Sequence, residues 1–83
     1  MTTRYIIFSK SSCPFCVAAI EAMQENKLDF KVVNFEPEQE SVLKEIKEAH
    51  EWGTVPMIFQ RSGGDIRFIG GYTDFMNHLE TNG

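Results

Sequence analysis

"SKSSCPFCVAAIEAM", from Ser9 to Met23, decides how the rest of the chain is read. Cys13 and Cys16 flank Pro14 and Phe15 where a polar stretch turns apolar. Such a pair could be half of a zinc site, a structural disulfide or a redox couple. Proline is favoured at the first position inside a helix, so a helix opening at Pro14 makes Cys13 its N-cap. A cap side chain accepts hydrogen bonds from backbone N–H groups one turn in. A thiolate can take that role, helped by the positive end of the helix dipole. Lys10 adds a cation close by in the sequence. Cys16 falls on nearly the same helix face, one turn further in and less exposed. One exposed thiol favoured in its charged form, with a second in reach, is an attacking and resolving pair.

Working outward, RYIIFS (Arg4 to Ser9) reads as a buried strand before the helix. VAAIEAMQENK is rich in helix formers, and Val17, Ile20 and Met23 are expected to face the core. DFKVVNF (Asp29 to Phe35) is a second strand. Pro37 opens another helix with acids in its first turn. The expected apolar stripe of that helix is Val42, Leu43, Ile46, Ala49 and His50, with Gly53 as its stop. Met57 to Gln60 and Ile66 to Ile69 are strands joined by RSGGD, a hairpin signal. QRSGGDIR has no reading beyond a surface loop. Thr73 is expected to N-cap a last helix through Leu79, with Asp74 in its first turn. The order is β-α-β-α-β-β-α. It implies a parallel first strand pair with a right-handed crossover and an antiparallel last pair. The fold class is α/β, a four-stranded mixed sheet with three helices packed on it.

Size and charge bound the function. The 83 residues fit one domain, 1–83, burying about two thirds of the unfolded surface. Hydrophobic residues make up 42%, enough for a packed core. No apolar run approaches the roughly 20 residues of a membrane span, and MTTRYIIFSK is too short in its apolar part for a signal peptide. The expected location is therefore cytoplasmic, where thiols are kept reduced and a structural disulfide is out of place. The formal net charge of −4 offers no basic face for nucleic acid. Glu36, Glu38, Glu40, Glu45, Glu48 and Glu51 face only Lys44 and Lys47 in their segment, which reads as a solvated helix face; an acidic docking surface is the alternative. Zinc usually needs four ligands, but there is one C-x-x-C, and His50 and His78 are not spaced as a partner pair. C-x-x-C beside a β-α-β pattern is a redox signature.

Two further stretches sharpen this. "TVP" (Thr54, Val55, Pro56) precedes a strand, an odd place for proline unless the peptide bond there is special. "GGYTDF" (Gly70 to Phe75) is a tight turn into a helix N-terminus, a ready anion site. CPFC early, TVP in the middle and GGYTD near the end closely resemble glutaredoxins of the dithiol class, across the whole chain in order and spacing.

The resemblance implies a thioredoxin-like fold with Val55–Pro56 cis. It implies glutathione as co-substrate, with no tightly bound cofactor. Carried over by motif, Cys13 is the nucleophile and Cys16 the resolving thiol. Phe15 stands where the family often has tyrosine. Thr54 and Val55 lead into the strand, where Val55 would pair its backbone with the cysteine of glutathione, and Pro56 would pack beside the disulfide. Gly71, Tyr72, Thr73 and Asp74 would hold the γ-glutamyl end. Lys10 would pair with the glycine carboxylate, with Lys47 across the cleft, because the basic or amide residue many relatives place before TVP is Gly53 here. Trp52 reads as a core plug or lid rather than a ligand contact. The implied activity is reduction of protein disulfides and glutathione mixed disulfides by a monomer, with ribonucleotide reductase as a natural client. Two other functions compete. One is a glutathione-ligated iron–sulfur module, which Pro14 and Cys16 argue against. The other is a thioredoxin-type carrier, whose usual proline slot is Phe15 here.

Overall fold

The computed structural model describes residues 3–82. Its elements are β1 (Thr3–Lys10), α1 (Pro14–Glu25), β2 (Asp29–Phe35), a 3-10 turn (Pro37–Gln39), α2 (Glu40–Ala49), β3 (Met57–Ser62), β4 (Asp65–Gly70) and α3 (Tyr72–Asn82). The sheet runs β2-β1-β3-β4. β1 pairs parallel with β2 and antiparallel with β3, and β3 pairs antiparallel with β4. This is the four-stranded mixed sheet with three helices that the chain's pattern predicts.

Alternation along β1 divides the core in two, because successive strand residues point to opposite faces. Tyr5 and Ile7 meet Ala19, Ala22 and Met23 of α1 and Phe75 of α3 on one face. Ile6 and Phe8 meet Phe35, Leu43, Met57 and Phe59 on the other, under α2. Phe8, Phe35 and Phe59 pack ring on ring, with centroids 5.3 and 5.0 Å from Phe8. Each fully buried side chain of this kind stabilises by roughly 1.5–3 kcal/mol. The two-sided sheet is therefore the platform on which the loops at its end are held.

Several local expectations change. Val17 is 54% exposed. The buried stripe of α1 is Cys16, Ala19, Ala22 and Met23, and Val17 lies about 100° round the helix from Cys16. On α2 only Leu43 is fully buried, while Val42, Ala49 and His50 are exposed. The His50 ring still leans on Phe59 and Phe68, at 5.3 and 5.1 Å. Gly53 does not stop α2. Glu51 does, at φ 52°, with Glu51 N donating to Glu48 O (3.1 Å) and Trp52 N to Lys47 O (2.8 Å). α1 ends the same way around Lys27, at φ 54°. Both are Schellman caps, with a charged residue where glycine is usual.

The start of α3 also differs. Tyr72 is its first residue, so Gly71 is the cap and Thr73 is the second residue inside. The Gly71 carbonyl accepts from Phe75 N at 2.9 Å. Asp74 reaches back, its Oδ2 accepting from Gly71 N at 3.2 Å. That is half of a capping box.

Candidate active site

The site sits where β1 ends. Ser12 turns the chain at φ 63°, and Cys13 follows in an extended conformation, with Pro14 opening α1. The Cys13 carbonyl accepts the first helical bond, from Val17 N at 3.1 Å. Its Sγ accepts from Cys16 N at 3.3 Å. Cys13 is therefore the N-cap, with its sulfur among donors the helix leaves free. Both cysteines are free thiols, Cys13 half-buried and Cys16 2% exposed. Burial pushes the Cys16 thiol up to about 12, and its hydrogen bond with Cys13 adds to the rise. Cys16 is thus held as a neutral thiol at physiological pH, one turn behind the exposed one.

Across from Cys13 comes the entry to β3. The Val55–Pro56 peptide bond is cis, the form the resemblance implies. The Val55 carbonyl lies 3.9 Å from Cys13 Sγ, at the long limit of an S–H donor. Beside it opens a cleft of about 300 Å³ lined by Phe15, Trp52, Thr54, Val55, Pro56, Gly71, Tyr72, Thr73 and Asp74. Phe15 is 62% exposed and leans on Tyr72, with ring centroids 5.8 Å apart. The pair forms an aromatic wall between the cysteines and α3.

The far wall is the α3 N-terminus. Its first N–H groups have no partner inside the helix, and the dipole there favours negative charge. Asp74 accepts from Gly71 N, and Tyr72 and Thr73, at the helix positions whose N–H groups lack a helical partner, line the cleft. Gly70 makes room for this arrangement. Its φ is 131°, and a Cβ there would lie 2.8 Å from Asp74 Cγ and 2.9 Å from Asp74 Cβ.

Among the residues singled out in the sequence, the cleft gathers Phe15, Thr54, Val55, Pro56, Gly71, Tyr72, Thr73 and Asp74. Lys10 is not among them. Its Nζ pairs with Glu40 Oε2 at 2.8 Å, so the cation expected beside Cys13 is engaged with the first residue of α2. Lys10 holds the Glu40 carboxyl below its ordinary range through that bond. The sequence reading passed over Glu40, whose only signal was its place in an acid-rich helix start. It also set Trp52 aside, yet Trp52 lines the cleft. Its ring stands edge-on to Phe68 at 5.3 Å, and its Nε1 is buried with no acceptor among the described residues. A Cβ on Gly71 would be 3.5 Å from Trp52 Cζ2, so the indole edge rests against the start of α3. An aromatic residue two places before TVP was the available signal. Among the described residues, no group of His, Cys, Asp and Glu could hold a metal ion, and no helix is long and apolar enough to cross a membrane.

Known proteins share this arrangement. The sequence model of the Glutaredoxin family matches residues 5–64. Glutaredoxin 1 of Escherichia coli is 35% identical over 93% of this chain and 93% of its own length. A dithiolic glutaredoxin from Trypanosoma brucei brucei is 30% identical and superposes with a TM-score of 0.71, covering 93% of this chain and 77% of that one. Wheat glutaredoxin, at 27% identity, covers 92% of this chain and 71% of its own with a TM-score of 0.75. With Cys13 capping α1 and Cys16 behind it, a cis proline opposite and a thioredoxin-like sheet beneath, the chain belongs to the glutaredoxin family, with the C-x-x-C of its dithiol type.

Proposed function

We propose that this thiol–disulfide oxidoreductase draws its electrons from glutathione and reduces both protein disulfides and glutathione mixed disulfides. The observation that carries the reading is the pairing of a half-buried Cys13 with a fully buried Cys16 whose backbone N–H donates to the Cys13 sulfur. Cys13, as thiolate, attacks one sulfur of a client disulfide. The client S–S bond breaks, a Cys13–client mixed disulfide forms, and the other client sulfur leaves as a thiolate. Cys16 gives up its proton and attacks the Cys13 sulfur. The client leaves with both sulfurs reduced, and the protein keeps a Cys13–Cys16 disulfide. Two glutathione molecules restore the dithiol in two such exchanges and depart as glutathione disulfide. Because burial favours the neutral Cys16 thiol, the second step needs its proton removed as the attack develops, and the first step belongs to Cys13 alone.

The cleft supports glutathione as the co-substrate. A tripeptide lying along Val55 would pair with its backbone as an added strand. Its γ-glutamyl carboxylate would meet the free amides at the start of α3, and its amine the Asp74 carboxylate. On this reading the protein acts as a cytoplasmic monomer without a tightly bound cofactor, and ribonucleotide reductase is a candidate client by family resemblance. Two coupled assays test it, one with glutathione and glutathione reductase, the other with thioredoxin reductase. Turnover with the first alone is expected. Turnover with thioredoxin reductase alone would replace glutathione with a thioredoxin-type supply, and a brown purified protein that loses its colour with added chelator would turn the reading toward a cluster carrier.

A further inference from the structure

At the opposite end of β1 from the cysteines, two arginines face each other. Arg4 and Arg61 are direct partners in the antiparallel β1–β3 register. Residues so paired share a face with Cβ atoms about 4.5–5.5 Å apart, and like charges there are destabilising. One carboxylate answers them. Asp29 is the partner of Arg4 in the parallel register with β2, and its Oδ2 accepts from Arg4 Nε at 3.1 Å. That bond engages one corner of the Arg4 guanidinium. Its two terminal nitrogens, and all of Arg61, meet no acceptor among the described residues. The three side chains and Gly63, which turns the β3–β4 hairpin at φ 63°, line a hollow of about 340 Å³. Two positive charges against one negative leave a surplus of one there, on a chain whose formal charge is −4.

A guanidinium presents its N–H groups in a planar fork that matches phosphate oxygens two at a time. Two forks on one face, one already oriented by Asp29, suit an acceptor that carries two negative charges and several oxygens. A single carboxylate could engage one fork and leave the other opposed. We propose that Arg4 and Arg61 form a binding site for a phosphoryl dianion, separate from the thiol site. Arg4 stands six positions along β1 from Lys10, roughly 20 Å at about 3.3 Å per residue, so occupancy leaves the cysteine chemistry untouched.

Titration of the reduced full chain with inorganic phosphate at neutral pH tests this, with chloride at matched ionic strength as reference. A second arm uses a nucleoside monophosphate. Amide and arginine Nε–H resonances are followed by NMR. Saturable shifts at Arg4, Arg61 and Gly63 that chloride does not produce are expected, with a dissociation constant on the order of millimolar for so exposed a site. Tighter saturation by the nucleotide assigns the site to phosphomonoesters, and tighter saturation by phosphate to the free ion. Arg61→Gln and Arg4→Gln should each weaken binding severalfold while thiol–disulfide exchange, which reports an intact fold, stays at the parent rate. Shifts that grow linearly without saturation in both arms, or that persist unchanged in Arg61→Gln, would overturn the site.

Discussion

The N-termini of α1 and α3 both face the candidate site, and they treat their free donors in opposite ways. At α1 the acceptor is part of the chain: Cys13 supplies the cap, and its sulfur accepts from Cys16 N at 3.3 Å. At α3 the chain supplies a carboxylate but aims it backward, Asp74 covering only Gly71 N. Tyr72 and Thr73, the next two residues, line the cleft. One helix start holds its acceptor covalently, at the half-buried sulfur of Cys13. The other leaves N–H groups without a helical partner at the wall of the cleft. The aromatic pair of Phe15, on α1, and Tyr72, on α3, bridges the two helix starts.

The largest expected effect comes from removing the sulfur at the α1 cap. Cys13→Ser should abolish exchange with every substrate, because a serine hydroxyl can cap α1 but does not exchange with a disulfide. Cys16→Ser should still turn over glutathione mixed disulfides, which need one thiol, and lose most of its action on protein disulfides, where the second thiol frees the client. Equal loss in both assays from Cys16→Ser would end the division between the two cysteines. Next comes the support of the other helix start. Gly70→Ala puts a Cβ into the Asp74 side chain at a φ that L residues avoid. The cost is about 1–3 kcal/mol, a fall in Tm of order 4–20 °C for a domain of this size, accompanied by a raised KM for glutathione. A variant that melts with the parent and binds normally would show that Asp74 has another place to go.

Asp74→Asn is milder. The amide oxygen can still accept from Gly71 N, so only the charge at the helix start is lost, worth about 0.3–1 kcal/mol. The expected result is a KM for glutathione raised severalfold at nearly constant kcat, the mark of lost uniform binding, with Tm lower by only a few degrees. A drop of Tm with KM unchanged would make Asp74 a cap alone. The smallest effect should be at Lys10. Lys10 is paired with Glu40, so Lys10→Gln should change KM by less than about twofold, as exposed pairs do. Glu40→Gln, by freeing Lys10, should lower KM at low salt and lose that advantage at high salt. The Glu40 carboxyl is held below its ordinary range, so the pair persists at neutral pH. It is lost only as the pH falls through that lowered value, and the difference between Glu40→Gln and the parent should vanish there. A large rise in KM for Lys10→Gln at low salt would return Lys10 to the cleft.

The fold and most of the cleft could be read from short-range pattern. Pro14 after Cys13 marks a helix start by local chemistry, and the apolar run in RYIIFS marks a buried strand. TVP and GGYTD bring their residues to the cleft through the backbone path itself. The features that escaped depend on which distant side chains meet. Nothing near Lys10 in sequence indicates Glu40, thirty positions on. Trp52 looks like core because its ring does pack on Phe68; that its other edge meets the start of α3 is a tertiary fact. The stop of α2 was assigned to Gly53 because glycine is the usual left-handed residue, yet the chain spends that conformation on Glu51 two positions earlier. Gly53 then stands free, with nothing within 4 Å of a Cβ built on it. The cap of α3 was assigned to Thr73 by side-chain preference, whereas the backward reach of Asp74 moves it to Gly71.

Trp52 is the chain's single tryptophan, which gives its position an optical consequence. An indole with its N–H sealed from water and one edge against the α3 start should emit toward the blue, and a sulfur within the same small site is an effective quencher. Opening or closing the Cys13–Cys16 bond, or filling the cleft, changes the surroundings of the chain's one indole. The native protein thus carries its own unlabelled optical reporter, with which the redox state of the cysteines and the occupancy of the cleft can be followed in real time.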